Sequence, residues 1–100
     1  MFQAAFIFIG TGIDSAETRA RFEMSDVTLQ VGGTKDYADA EKVAKTLVSG
    51  GVGLIELCAG FGTEGVARIK QAAGPGVVVG AVRFDHHPGL GDRSGDELFS

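Results

Sequence analysis

Asp85-His86-His87 is the densest cluster of chemically versatile side chains in the sequence. Imidazole changes charge near neutral pH and also ligates metals. Two of them beside a carboxylate therefore have three readings: acid/base work or substrate hydrogen bonding, turn chemistry, or ion binding. The first is preferred, with one histidine transferring a proton and Asp85 orienting its ring. Adjacent side chains on an extended chain point to opposite sides, so only one histidine faces a given pocket. A metal would need further ligands from Cys58, Glu56 or Glu64, and neither a metal nor another cofactor is expected. Cys58 is the only cysteine. Lying ahead of a helix start, it is a candidate nucleophile, set against the commoner reading of cysteine as a small buried hydrophobe.

The turn Gly60-Phe61-Gly62-Thr63-Glu64 leads a strand into a helix. Backbone N–H groups of Gly62 and Thr63 are free there to receive a carboxylate or phosphate, assisted by the helix dipole. Gly60 and Phe61 belong to the same turn, and Thr11, after the first strand, is a further pocket candidate or an N-cap. No nucleotide site is expected. The dinucleotide fingerprint belongs after the first strand, which ends in Gly10-Thr11-Gly12-Ile13 without a matching third glycine, and no Gly-Lys-Ser/Thr of a P-loop occurs. Glu56 and Arg83 each interrupt an apolar strand two residues before its functional end, at Cys58 and Asp85. If those strands lie side by side and level, the two side chains share a face. They then form a buried ion pair that fixes register, or a carboxylate and an anion-binding arginine at the pocket floor.

These residues are brought together by an α/β architecture. The run 4–9 is continuously apolar and stopped by Gly10, the pattern of a strand covered on both faces. No basic residue precedes Arg19, and the run is far short of the ~20 residues of a membrane helix, so it is read as a strand rather than a signal or an anchor. Asp14-Ser15-Ala16-Glu17 resembles a capping box, which predicts a helix over 16–24. A shorter strand follows over 27–31. Asp36 then caps a helix in which Tyr37, Ala40, Val43, Ala44, Leu47 and Val48 recur at helical spacing. A strand over 53–58, a helix over 64–73 and a strand over 77–84 complete the series.

The order β-α-β-α-β-α-β with short connections calls for a small, mainly parallel four-stranded sheet with flanking helices, in strand order 2-1-3-4. Its fourth strand is an edge whose apolarity asks for cover. Residues 1–85 form this single domain. Residues 86–100 are a glycine-rich tail expected to pack on a neighbouring subunit. In open α/β sheets ligands bind outside the carboxyl ends of the strands, where Thr11, Cys58, the 60–64 turn and Asp85–His87 all fall.

Composition bounds the rest. The chain has 100 residues, 44% hydrophobic and 22% charged, which excludes disorder. The net charge of −4 without a Lys/Arg cluster gives no electrostatic footprint for nucleic acid. A lone thiol suits a reducing cytoplasm. At this size a core forms with little to spare, so a homo-oligomer is expected, with no membrane partner.

With Glu56-Leu57-Cys58-Ala59-Gly60-Phe61-Gly62 and Val82-Arg83-Phe84-Asp85-His86-His87-Pro88-Gly89, the chain resembles a family of bacterial proteins of its own length and unknown function. The resemblance extends over nearly the whole chain and implies a self-contained small domain. It brings no substrate. A looser likeness to the amino-acid racemase group fails on mechanism, because those enzymes need two cysteines. The residues themselves point to a small-molecule enzyme using acid/base chemistry on a polar or anionic metabolite. The alternative is a binding or sensor domain with the same pocket and no turnover.

Overall fold

The computed structural model describes residues 2–100. β1 (Phe2–Ile9) runs parallel to both β3 (Val27–Thr34) and β4 (Leu54–Leu57), and β4 runs parallel to β5 (Val78–Ala81). β2 (Arg19–Glu23) is antiparallel to β3, giving the order β2-β3-β1-β4-β5. The four parallel strands thus stand in the predicted order, with β5 at one edge as expected. A fifth, antiparallel strand is added at the other edge.

That fifth strand replaces the helix predicted over 16–24. Asp14 does not cap a helix. Its side chain accepts from the Ala16 N–H (3.0 Å) and its carbonyl accepts from the Thr18 N–H (2.9 Å), which closes a local turn. Arg19-Ala20-Arg21-Phe22-Glu23 then alternates with period two, the spacing of a strand, and every residue of it is exposed. The strand over 77–84 is also shorter than predicted. Val82 N–H still donates to the Leu57 carbonyl, and beyond it the chain leaves the sheet.

α1 (Tyr37–Ser49) begins at Asp36, whose side chain accepts from the Asp39 N–H, as predicted. α2 (Thr63–Ala73) follows Gly62. Both helices serve crossovers that step along the sheet in the same direction, from β3 over β1 to β4 and from β4 to β5. Right-handed crossovers of that kind place their helices on one face. There Ala5, Ile7, Ile55 and Leu57 meet Tyr37, Ala40, Phe61 and Ile69 in a single core. The link from β1 to β3 is a hairpin strand without a helix, so no helix covers the other face.

The tail is ordered on its own domain. After a 3-10 turn (Pro88–Leu90), α3 (Gly95–Phe99) starts with a capping box between Ser94 and Glu97, and Phe99 enters the core beside Tyr37. The neighbouring subunit expected to hold this tail is not needed for these contacts. No helix among the described residues is long and apolar enough to cross a membrane.

Candidate functional site

The carboxyl edge of the parallel strands collects the residues singled out in the sequence, but most of them are engaged with one another or with the tail. Gly62 N–H donates to the Tyr37 hydroxyl (2.9 Å), which in turn donates to Asp96 Oδ1 (2.7 Å). Glu64 N–H and Gly65 N–H donate to Asp96 Oδ2 (3.0 Å) and Oδ1 (3.1 Å). The start of α2 thus holds the carboxylate of the chain's own α3, through Glu64 and Gly65 rather than the expected Gly62 and Thr63. Burial acts to raise the Asp96 carboxyl. The Glu64 N–H, Tyr37 hydroxyl and Gly65 N–H, with Arg83 nearby, outweigh it and hold the group below the usual carboxylate range. Burial pushes the Tyr37 phenol up, and the Asp96 charge acts in the same sense.

Glycines allow this close packing. A Cβ on Gly62 would overlap the Asp96 and Ser94 side chains, and one on Gly65 would overlap the Tyr37 ring. The spacing Gly60-x-Gly62-x-x-Gly65 is that of a dinucleotide loop, a match missed above, although the run follows β4 rather than the first strand. The N–H groups of Gly62, Glu64 and Gly65 go to Tyr37 and Asp96, and those of Gly60 and Phe61 to Cys58. Phe61 is fully buried and stacked on Tyr37 (5.7 Å), placing it in the core.

Cys58 is partly buried, its Sγ accepting from the Gly60 N–H at 3.4 Å. Thr11 is exposed in the turn after β1. His87 caps the 3-10 turn, with Nδ1 accepting from the Gly89 N–H (3.0 Å) and its ring against Phe84. The exposed His86 has Nδ1 3.1 Å from the Asp92 carbonyl. Asp85 does not touch either imidazole in these contacts. It pairs with Arg83 (3.0 Å), which also donates to Thr63 Oγ1 and the Phe84 carbonyl. Among the described residues, no group of three or more His, Cys, Asp or Glu side chains is arranged to hold a metal.

The Glu56–Arg83 pair is a correction. Glu56 lies opposite Gly80, whereas Arg83 follows Val82, where the chain has left the sheet. Glu56 is exposed on the face without helices, while Arg83 reaches α2 at Thr63. The tight ion pair in this region is instead Glu41–Arg68, which joins α1 to α2. Arg68 Nε and Nη2 donate to the two Glu41 oxygens at 3.1 and 3.0 Å, and this hydrogen bonding keeps the Glu41 carboxyl low.

A second concavity lies elsewhere. α1 sits over β3 and β1, so the hairpin strand β2 projects beyond it and leaves a groove of about 650 Å³. Gln30, Gly32, Arg19 and Arg21 form its floor, and Lys42, Val43, Thr46 and Leu47 its wall. Ser15 donates to Asp39 Oδ1 (2.9 Å) and ties the preceding loop to α1 at the groove. Arg19 donates to the Ser15 carbonyl (3.3 Å). The lining holds three cationic side chains and one carboxylate, Asp39, which already accepts from Ser15 and from the Lys35 N–H. The period-two run 19–23 was the signal for this site. A smaller hollow of about 360 Å³ lies between α2 and Arg83.

The family model described as "Family of unknown function (DUF6506)" matches residues 2–97. The chain belongs to that family. The match includes β2, the groove and Asp96, and it ends inside α3, before Phe99. No curated protein and no solved structure matches the chain.

Proposed function

We propose that this DUF6506 protein is a small-ligand-binding domain without turnover, and that its ligand is an amphipathic organic anion held between the β2–β3 hairpin and α1. One observation carries the reading: a groove of ligand size, about 650 Å³, combines Arg19, Arg21 and Lys42 with the apolar Val43 and Leu47. In a chain of net charge −4, such a local excess of cations favours an anionic group, with the apolar wall taking the ligand's hydrocarbon part. The acid/base reading at Asp85–His87 has less support. His87 is committed to a turn, Asp85 to Arg83, and the start of α2 to Asp96. The single cysteine fits a reducing compartment, and the cytoplasm is the proposed location.

The test is an amide chemical-shift titration with decanoate, decylammonium and decanol. Decanoate is expected to shift amides of residues 30–32 and 42–47 saturably, decylammonium to leave them in place, and decanol to bind more weakly than decanoate. Arg21→Glu and Lys42→Glu should each weaken decanoate binding roughly tenfold, the size of one lost charge-assisted contact at about 1.4 kcal/mol. Shifts confined to residues 60–64 and 85–87 would move the site back to the strand edge. No saturable shift, or equal affinity for decylammonium, would remove the proposal.

A further inference from the structure

The face of the sheet opposite the helices carries side chains suited to burial. It presents Phe2, Phe6 and Phe8 from β1, Leu29 and Val31 from β3, and Phe22 from β2, which share one side of the pleat by register. Phe2 is 49% exposed and Phe22 53%, and at the far edge Val78 is 61% exposed. Glu56 is the one charged strand residue on that side, and it lies on β4 beside Phe6 of β1.

We infer that this face is covered by a second copy of the same chain, in a two-fold dimer with the two sheets stacked face to face. Area is the first argument. The five strands have 5, 8, 8, 4 and 4 residues, and at ~3.3 Å per residue and ~4.8 Å spacing they give roughly 460 Å² of sheet per copy, hence about 900 Å² in total, close to the ~1,000 Å² of the smallest specific interfaces. Charge is the second. The strands offer no Lys or Arg on this side, so neither nucleic acid nor an anionic lipid surface finds a counter-charge, whereas an identical apolar sheet matches it in width and character. Two such sheets stack ~10 Å apart with strands crossing near −30°. The third argument concerns the edges. β2 pairing with its own copy in a continuous sheet would bring Arg19 and Arg21 rows together, which disfavours growth at that edge.

Sedimentation equilibrium of the full chain from about 1 to about 200 µM tests the inference, because a dimer populates by mass action. The expected mass is twice 10.3 kDa over most of that range. Phe22→Asp and Phe2→Asp, at exposed positions that a monomer tolerates, should each raise the dimer dissociation constant roughly a hundredfold, since each change enters a two-fold interface twice. Circular dichroism would confirm that both variants stay folded. Leu98→Asp, on α3 and far from this face, should leave association unchanged. A monomer throughout would overturn the inference, including one that sediments with phosphatidylcholine vesicles. So would a dimer that Leu98→Asp dissociates while Phe22→Asp does not.

Discussion

Asp96 occupies the place a bound anion would take at the start of α2, and it joins three donors from two helices: the Tyr37 hydroxyl and the N–H groups of Glu64 and Gly65. Replacement by Asn keeps the shape but turns an acceptor into a donor facing an N–H. Asp96→Asn should therefore lower the unfolding free energy by ~2 kcal/mol at neutral pH, the usual range for a buried group left unpaired. The pH dependence follows from the lowered carboxyl. Folding favours the ionised form, so the contribution is complete above about pH 4, the ordinary aspartate value, and is lost as pH falls through the lower folded value. Urea titrations of both proteins from about pH 6 to about pH 2 should show the difference between them shrinking on the acid side. A constant gap would mean that the Asp96 charge is not what holds the tail.

Elements were legible where periodicity was long and caps were distinct. Tyr37–Ser49 shows helical spacing behind Asp36, and the nearly unbroken apolar runs of β1 and β4 announce a parallel sheet. The run 19–23 was misread because an Asp-x-x-Glu signature outweighed a five-residue alternation, and an exposed edge strand has no buried side to make its pattern strong. The groove was missed with it, since both depend on β2. Glu56 and Arg83 were misplaced by assuming level strand ends, whereas Arg83 follows Val82, where the chain has left the sheet. Ser94-x-x-Glu97 was a readable helix start in a tail taken as irregular. Packing between elements is less legible still, and Gly65 shows why. In an isolated helix, Gly→Ala stabilises by up to ~1 kcal/mol. Here the new methyl would strike the Tyr37 ring, with Cε1 at 2.6 Å, so the sign reverses. Gly65→Ala should destabilise by ~2 kcal/mol as the ring is displaced from its place between Phe61 and Asp96. Thermal unfolding measures it, and a raised midpoint would show that Tyr37 yields without loss.

At the scale of the molecule, a two-layer domain with helices on one face has only one core, and the tail closes its end. Phe99 is 3% exposed and packs 6.3 Å from the Tyr37 ring centre, while Asp96, on the same short helix, binds the Tyr37 hydroxyl. A five-residue helix has no stability of its own, so these two anchors dock it together. Phe99→Ala should cost ~3 kcal/mol, a large share of the ~5–15 kcal/mol that such a domain commands. Because either change alone already loosens α3, the double variant Phe99→Ala with Asp96→Asn should lose less than the sum of the two single losses. Urea unfolding under one set of conditions gives all three values. Simple additivity would mean that the two anchors act independently and that the tail is a pair of separate contacts. Sub-additivity would make it one cooperative latch, which locks the start of α2 and leaves the groove on the far side of α1 open.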